Sequence, residues 1–329
     1  MAKRKFLSKA ARILFVCHAL QDAYGKAVGL RLSAELTALC LAERGIPTKV
    51  VSVLDGNGID REIHLFQPTH ALIEAIWATP AKMAELKKLH PSTELIVYVH
   101  SKTPFLANEG NALEYLLKYD VAIAANSIAL TDDLSFIGID AAYLPNVYFM
   151  KPVQPWERST AAVNIGCFGA IRPMKNTLIQ ALAAIEYADR AKKPVNFHVN
   201  TSRVEQHGNS VVRNLLALEA AGKLKLVQHG WLPHEEFLQV VSAMDMGLQV
   251  SLSESFNIVT ADFVQMGTPI VVSSEVSWMP DNAKADCGCA LSILNAMERQ
   301  SETAPILNRR ALLKYNKHAL NTWMNYLED

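Results

Sequence analysis

The chain has 329 residues and balances 32 Lys plus Arg against 32 Asp plus Glu, so no global field favours nucleic acid or a membrane surface, although a local basic face stays open. Half of it is hydrophobic and 19% charged, a globular composition long enough for two cores at about 100–200 residues per domain. No run of about 18 apolar residues is present to span a bilayer. The run Ile13–Val16 is too short for a signal peptide, and five cysteines, an odd number, read as reduced thiols in a cytoplasmic protein.

Taken in order, the segments alternate. Arg12–Cys17 is a short apolar run of the kind buried in a parallel sheet. After a turn-rich piece, His18–Gly25, comes a helical period with Leu30, Ala34, Ala38 and Leu41 on one face, closed by Gly45 and Pro47. Strands are expected at Thr48–Val53, His70–Ile73, Leu95–Val99 and Val121–Ala124, with helices near Pro80–Leu89 and Ala107–Tyr119. Pro145, Pro152 and Pro155 then break the rhythm, and Tyr148–Ala161 reads as a linker. Alternation restarts with strands at Val163–Phe168, Val195–Asn200, Lys225–His229, Met246–Val250 and Pro269–Val272. Helices are expected at Thr177–Ala191, Val211–Ala221, His234–Met244 and Ile258–Met266. Such alternation builds parallel sheets covered on both faces, with ligands beyond the strand carboxyl ends. The expected fold class is α/β with two Rossmann-like domains facing across a cleft. The expected division is residues 1–147, linker 148–161, residues 162–304, and a helix from 305 to 329 returning to the first domain. Its stripe Leu307, Leu312, Leu313, Leu320, Trp323 and Leu327 is too apolar to leave exposed.

Four short elements at strand ends carry chemistry. In Gly166–Asn176 a strand ends at Gly169, and a tight turn bearing Arg172 and Lys175 leads into a helix, a setting suited to a pyrophosphate. In His229-Gly230-Trp231-Leu232, backbone groups stand at a strand end where a nucleotide base can be held. In Val250–Asp262, Glu254 lies at a strand-helix turn and Asp262 about two helical turns, roughly 12 Å, further on. Gly267-Thr268-Pro269 then stops a helix directly before a buried strand. Cys287-Gly-Cys289 has no His or Cys at ligand spacing beside it, so no metal is expected there.

In this order and spacing the elements resemble the C-terminal domain of retaining glycosyltransferases of the family-4 type, which have the GT-B fold. Lys175, Glu254, Phe256 and Gly267-Thr268-Pro269 match directly. Ala170 stands where that family usually has Arg, with Arg172 two residues later, Asn257 replaces a Gly, and Asp262 replaces a second Glu. In the first half His100 resembles a family histidine near the donor sugar, Leu144-Pro145-Asn146 a motif before the linker, and Gly25 with Gly29 an acceptor-side glycine loop. His18–Gly29 and Ser273–Trp278 resemble short phage-type members.

The resemblance implies a retaining, metal-independent transfer from a nucleotide diphosphate sugar, preferably a UDP-sugar, with no other cofactor. It assigns catalysis to Arg172, Lys175, Glu254 and His100. It assigns substrate binding to Gly25, Gly169, His229, Gly230, Trp231, Leu232, Ser255, Phe256, Asn257 and Asp262, the last on the ribose hydroxyls. A glycan or small molecule is the favoured acceptor. Two alternatives stay open. One is a DNA glycosyltransferase acting on hydroxymethylated pyrimidines, with Lys3, Arg4, Lys5, Lys9, Arg12 and the Arg309-Arg310, Lys314, Lys317 helix on phosphates. The other is an inactive nucleotide-sugar-binding module of the same fold.

Overall fold

A computed structural model describes residues 11–19, 29–300 and 304–328. Gly25 and the basic residues from Lys3 to Lys9 lie outside the described residues. The chain divides into two units: residues up to Phe149 together with those from Asn316 on, and Met150–Tyr315.

The first unit runs β1 (Ile13–His18), α1 (Gly29–Ala42), β2 (Thr48–Val53), α2 (Gly56–Phe66), β3 (His70–Glu74), α3 (Pro80–Leu89), β4 (Glu94–Val99), α4 (Thr103–Leu106), α5 (Ala112–Lys118), β5 (Ala122–Ala125), α6 (Ile128–Ser135) and β6 (Ala141–Tyr143). Its six strands pair in the order β2-β1-β3-β4-β5-β6, and every pairing is parallel. Residues Ile13–Val16 are fully buried, as a strand covered on both faces requires. Ala34, Ala38 and Leu41 are the buried face of α1. Asp55 caps α2 by accepting from Asn57 N and Gly58 N, both at 2.9 Å, and Thr79 caps α3 ahead of Pro80. The helix expected over Ala107–Tyr119 is shorter, α5 at Ala112–Lys118, with the single turn α4 ahead of that span. Arg12 does not offer its charge outward: its guanidinium donates to Phe66 O at 2.8 Å and lies 4.5 Å over the Phe66 ring.

The second unit continues with β7 (Val163–Gly166), a 3-10 turn at Pro173–Lys175, α7 (Thr177–Arg190), β8 (Val195–Asn200), α8 (Asn209–Ala220), β9 (Lys225–His229), α9 (His234–Ser242), β10 (Met246–Gln249), α10 (Ile258–Met266), β11 (Ile270–Ser273), β12 (Lys284–Ala285), α11 (Ala290–Glu298) and α12 (Ala304–Glu328). Six strands again pair in parallel, in the order β12-β11-β10-β7-β8-β9. Ile165, Phe197, Leu248 and Val271 form the sheet side of the core, with Ala181, Ala184, Ile293 and Met297 from α7 and α11. Gly166 and Gly247 are register partners on β7 and β10. An added Cβ would come within 2.9 Å of the Phe263 ring at Gly166 and 2.6 Å at Gly247. The ring therefore lies on bare backbone, and that contact seats α10 on the sheet.

Helix α12 starts in the second unit, and from Asn316 on it belongs to the first. Asn316 exchanges hydrogen bonds with the Tyr148 backbone, at 3.1 and 2.8 Å. The Trp323 indole donates to Pro145 O at 2.7 Å and packs against Phe15 and Tyr98. The buried positions are Ala304, Asn308, Leu312, Ala319 and Trp323, whereas Leu307 and Leu313, expected in the stripe, are exposed. Arg309, Arg310, Lys314 and Lys317 are exposed as well.

Because Trp323 is fully buried, Trp323→Ala should cost about 3–5 kcal/mol, as large aromatic truncations in cores do. Chemical denaturation followed by a probe in the first unit measures this, and an unshifted midpoint would contradict the packing.

Candidate functional site

All six strands of the second sheet end on one edge, and the peptide groups there lack ladder partners. Gly169 follows β7 with φ +114°, and its N–H donates to Asn200 Oδ1 at 2.9 Å. An added Cβ would meet nothing nearer than Lys175 Cε at 3.7 Å, so conformation rather than space requires glycine here. Asn176, itself left-handed at φ 57°, donates through Nδ2 to Val250 O at 3.1 Å and Cys287 O at 2.7 Å. Gln180, fully buried on α7, donates to Lys175 O at 2.7 Å and accepts from Val250 N at 2.9 Å. These bonds fasten the Lys175 turn to the end of β10. Lys175 Nζ then donates to Glu254 Oε1 at 2.5 Å, with the two side chains 15% and 9% exposed. Cys167 is no nucleophile beside them, because burial pushes its thiol up to about 12 against the opposing pull of Lys175 and Thr177.

Glu254 lies on the loop before α10, not on the helix. The two-turn helical spacing expected between Glu254 and Asp262 is therefore corrected: the helix covers only the second carboxylate. Asn257 stands at the helix start with φ 56°, a conformation that Asn tolerates better than most side chains. Its Oδ1 accepts from Thr260 N and its Nδ2 donates to Gln249 Oε1, each at 2.9 Å. Its side chain thus caps α10 and ties it to β10. The Phe256 ring forms a three-ring cluster with Trp278 and Tyr315, at 5.7 and 5.2 Å, while its carbonyl accepts from the Trp278 indole. Ser255 is half-buried. Asp262 is 1% exposed and its Oδ1 binds His234 Nε2 at 2.7 Å. A carboxylate buried so deeply needs a partner, and His234 supplies one.

After β9, His229 turns its ring into the unit: its Nε2 meets His198 Nδ1 at 2.9 Å, and the two rings stack. Gly230 O accepts from Asn200 Nδ2 at 3.2 Å. Trp231 and Leu232 are half-buried, and the Arg203 guanidinium lies 5.6 Å from the Trp231 ring centroid. Arg172 Nη1 reaches Glu205 Oε2 at 3.4 Å, and Arg203 Nε donates to Glu205 Oε1. Arg172, Lys175, Glu254, Gly169, Gly230 and Trp231 are thus all on loops at one sheet edge. Arg203, Glu205, Asn200, Gln180, Gln249 and His234 were missed in the sequence. Their only signal was position just after a strand or near a helix start.

In the first unit His100 follows β4. Its Nε2 meets Glu74 Oε2 at 2.5 Å and its Nδ1 faces Asn126 Nδ2 at 3.4 Å, the Asn126 amide donating on to Asn146 Oδ1 at 2.6 Å. Glu74 is fully buried, and burial pushes its carboxyl above the usual range against the pull of His100. Both ring nitrogens of His100 thus have partners inside the unit. Among the described residues no three or more His, Cys, Asp or Glu gather where a metal would sit, and no helix is long and apolar enough to cross a membrane.

No protein-family model matches the chain, and no curated protein does so either. Solved structures do match its fold. A trehalose-6-phosphate synthase, OtsA, superposes with a TM-score of 0.70 at 14% identity, over 97% of this chain and 99% of that one. Anabaena HepE in complex with UDP and glucose gives 0.65 at 15%, over 96% and 100%. A trehalose-6-phosphate synthase described for glycosyl transfer with retention gives 0.58 at 15%, over 83% and 77%. The fold is that of GT-B glycosyltransferases: two Rossmann-like domains, each on a six-stranded parallel sheet.

The histidine pair carries a pH dependence. Burial first, then His229 and Lys225, hold His198 at about 4 against an ordinary 6.5, so between those values the unfolded chain binds a proton that the fold refuses. This contribution to stability is complete above pH 6.5 and is lost as pH falls through the folded value. The melting temperature of the wild type should therefore drop more steeply from pH 6.5 to 4 than that of His198→Gln. Parallel curves for the two proteins would rule the effect out.

Proposed function

We propose that the chain transfers a sugar from a nucleotide diphosphate sugar, by preference a UDP-sugar, to a hydroxyl of a glycan or small molecule, with retained anomeric configuration. The observation that carries this reading is the Lys175–Glu254 pair, held at the carboxyl edge of the second sheet beside Gly169 and Arg172. Trehalose-6-phosphate synthases and HepE, the latter crystallised with UDP and glucose, share the fold and support the choice of donor and of stereochemistry.

In this reading the diphosphate lies on the Gly169–Lys175 turn. As the bond between the sugar and the phosphate oxygen breaks, negative charge grows on the leaving group, and the Lys175 ammonium and Arg172 guanidinium stabilise it in place of water. Lys175 shifts part of its hydrogen bonding from Glu254 to the phosphate, which leaves a carboxylate oxygen to accept from sugar hydroxyls and hold the ring. The acceptor oxygen bonds to the sugar carbon on the face the phosphate leaves, and the acceptor proton passes to a phosphate oxygen. Asp262 acts through His234, keeping that ring in place at the first turn of α9.

UDP-, GDP- and ADP-sugars screened by thermal shift test the donor, because a ligand that binds only the native state raises the melting temperature. A UDP-sugar should give the largest rise, and no rise with any of them sinks the reading. Lys175→Ala and Arg172→Ala should each lower the transfer rate by about 10²–10³-fold, the usual loss when one stabiliser of transition-state charge is removed. Binding without any transfer or donor hydrolysis in the wild type would instead establish a nucleotide-sugar-binding module.

A further inference from the structure

Two loops at the edge of the second sheet are joined by their backbones. Ile171 and Val204 form a parallel bridge, with Ile171 N donating to Arg203 O and Glu205 N to Ile171 O, both at 2.9 Å. Gly208 lies so close beneath that an added Cβ would stand 2.1 Å from Ile171 O. The bridge sets Arg172 on one loop beside Arg203 and Glu205 on the other, whatever the side chains do.

A single carboxylate then serves two guanidinium groups. Glu205 Oε1 accepts from Arg203 Nε, and Oε2 accepts from Arg172 Nη1 at a long 3.4 Å. The three side chains are 20% to 30% exposed, which leaves the cluster open to solvent. Lys175, on the same turn as Arg172, is paired separately with Glu254. Arg203 is also steadied by the Trp231 ring. Two guanidiniums converging on a two-oxygen anion make a fork that suits a phosphate group as well as a carboxylate.

We propose that Glu205 is an internal stand-in for the donor's diphosphate, and that Arg203 binds that diphosphate together with Arg172 once Glu205 is displaced. This rests on the donor reading above and adds to it a residue and a competing internal anion. Two consequences follow with opposite signs. Removing Arg203 takes away a ligand contact, whereas neutralising Glu205 takes away a competitor. A purely structural ion pair would make both changes harmful in the same direction.

The experiment titrates the full chain calorimetrically with UDP, GDP and ADP, keeps the nucleotide the wild type binds most tightly, and repeats the titration on Arg203→Ala, Arg203→Lys and Glu205→Gln. Melting temperatures are recorded in parallel to confirm folding. Arg203→Ala should weaken binding by about 10- to 100-fold, the scale of a lost charge-assisted hydrogen bond. Arg203→Lys should recover part of that loss, and Glu205→Gln should bind several-fold more tightly than the wild type. Unchanged affinity in Arg203→Ala, or any failure of Glu205→Gln to tighten binding, overturns the proposal while leaving the donor reading intact. A wild type that binds none of the three nucleotides removes the donor reading, and the proposal with it.

Discussion

Parallel strands that stop inside a protein leave N–H and C=O groups with no neighbour in the ladder, and each must find a partner or cost the fold. In the second unit carboxamides meet that need. Asn200 spans from Gly169 N to Gly230 O, Gln180 from Lys175 O to Val250 N, and Gln249 from Phe168 O to the Asn257 amide, while Asn176 reaches Val250 O and Cys287 O. A carboxamide offers donor and acceptor together without a charge, so it can be buried where Asp or Lys would be too costly. Everything chemical at this edge hangs on that framework. The Lys175 turn is held from behind by Gln180 and Asn176, and Glu254 enters on a loop whose far end Asn257 fixes to Gln249.

The two units spend their charge differently. In the second, the cations Arg172, Lys175 and Arg203 stay partly exposed and are matched by Glu205 and Glu254. Ion pairs this near burial give little net stability, because desolvation offsets the Coulomb gain. In the first unit the strand-end polar groups are closed on themselves. Glu74 ends β3, and His100, Asn126 and Asn146 follow β4, β5 and β6; the four are linked in series by hydrogen bonds. Burial favours the uncharged form of Glu74, so that edge is organised around hydrogen bonding rather than net charge.

The long-period features were legible in the sequence. The apolar runs of β1, β4 and β11, the Gly45 stop and the α10 span show directly in the order of residues, because burial on both faces of a sheet leaves a continuous apolar signature. What stayed hidden was short or weakly patterned. Helix α2 has only Ile59 and Ile63 as buried apolar anchors and depends on its Asp55 cap, while β6 is a half-buried edge strand of three residues. At the candidate site, motif spacing singled out Gly169, Lys175 and Glu254, which the structure places close together. The partners of Asp262, His229 and His100 come from other strand ends, and no spacing along one segment encodes such contacts. The same holds for Arg203, which becomes a neighbour of Arg172 only through the Ile171–Val204 bridge.

Phe263 lying on Gly166 and Gly247 has a mechanical meaning. A flat ring pressed on two side-chain-free backbones acts as a datum pin: α10 can neither slide along the sheet nor lift from it without opening a void where the ring sat. The helix that carries Asp262 and begins at Asn257 is thereby a fixed wall rather than an adjustable one. In the proposed function, accommodation of a donor of different shape at this edge must then come from the loops Gly169–Lys175, Arg203–Glu205 and Gly230–Leu232. In descendants of this chain, ligand preference should change by rewriting those short segments while the glycine–phenylalanine joint stays untouched.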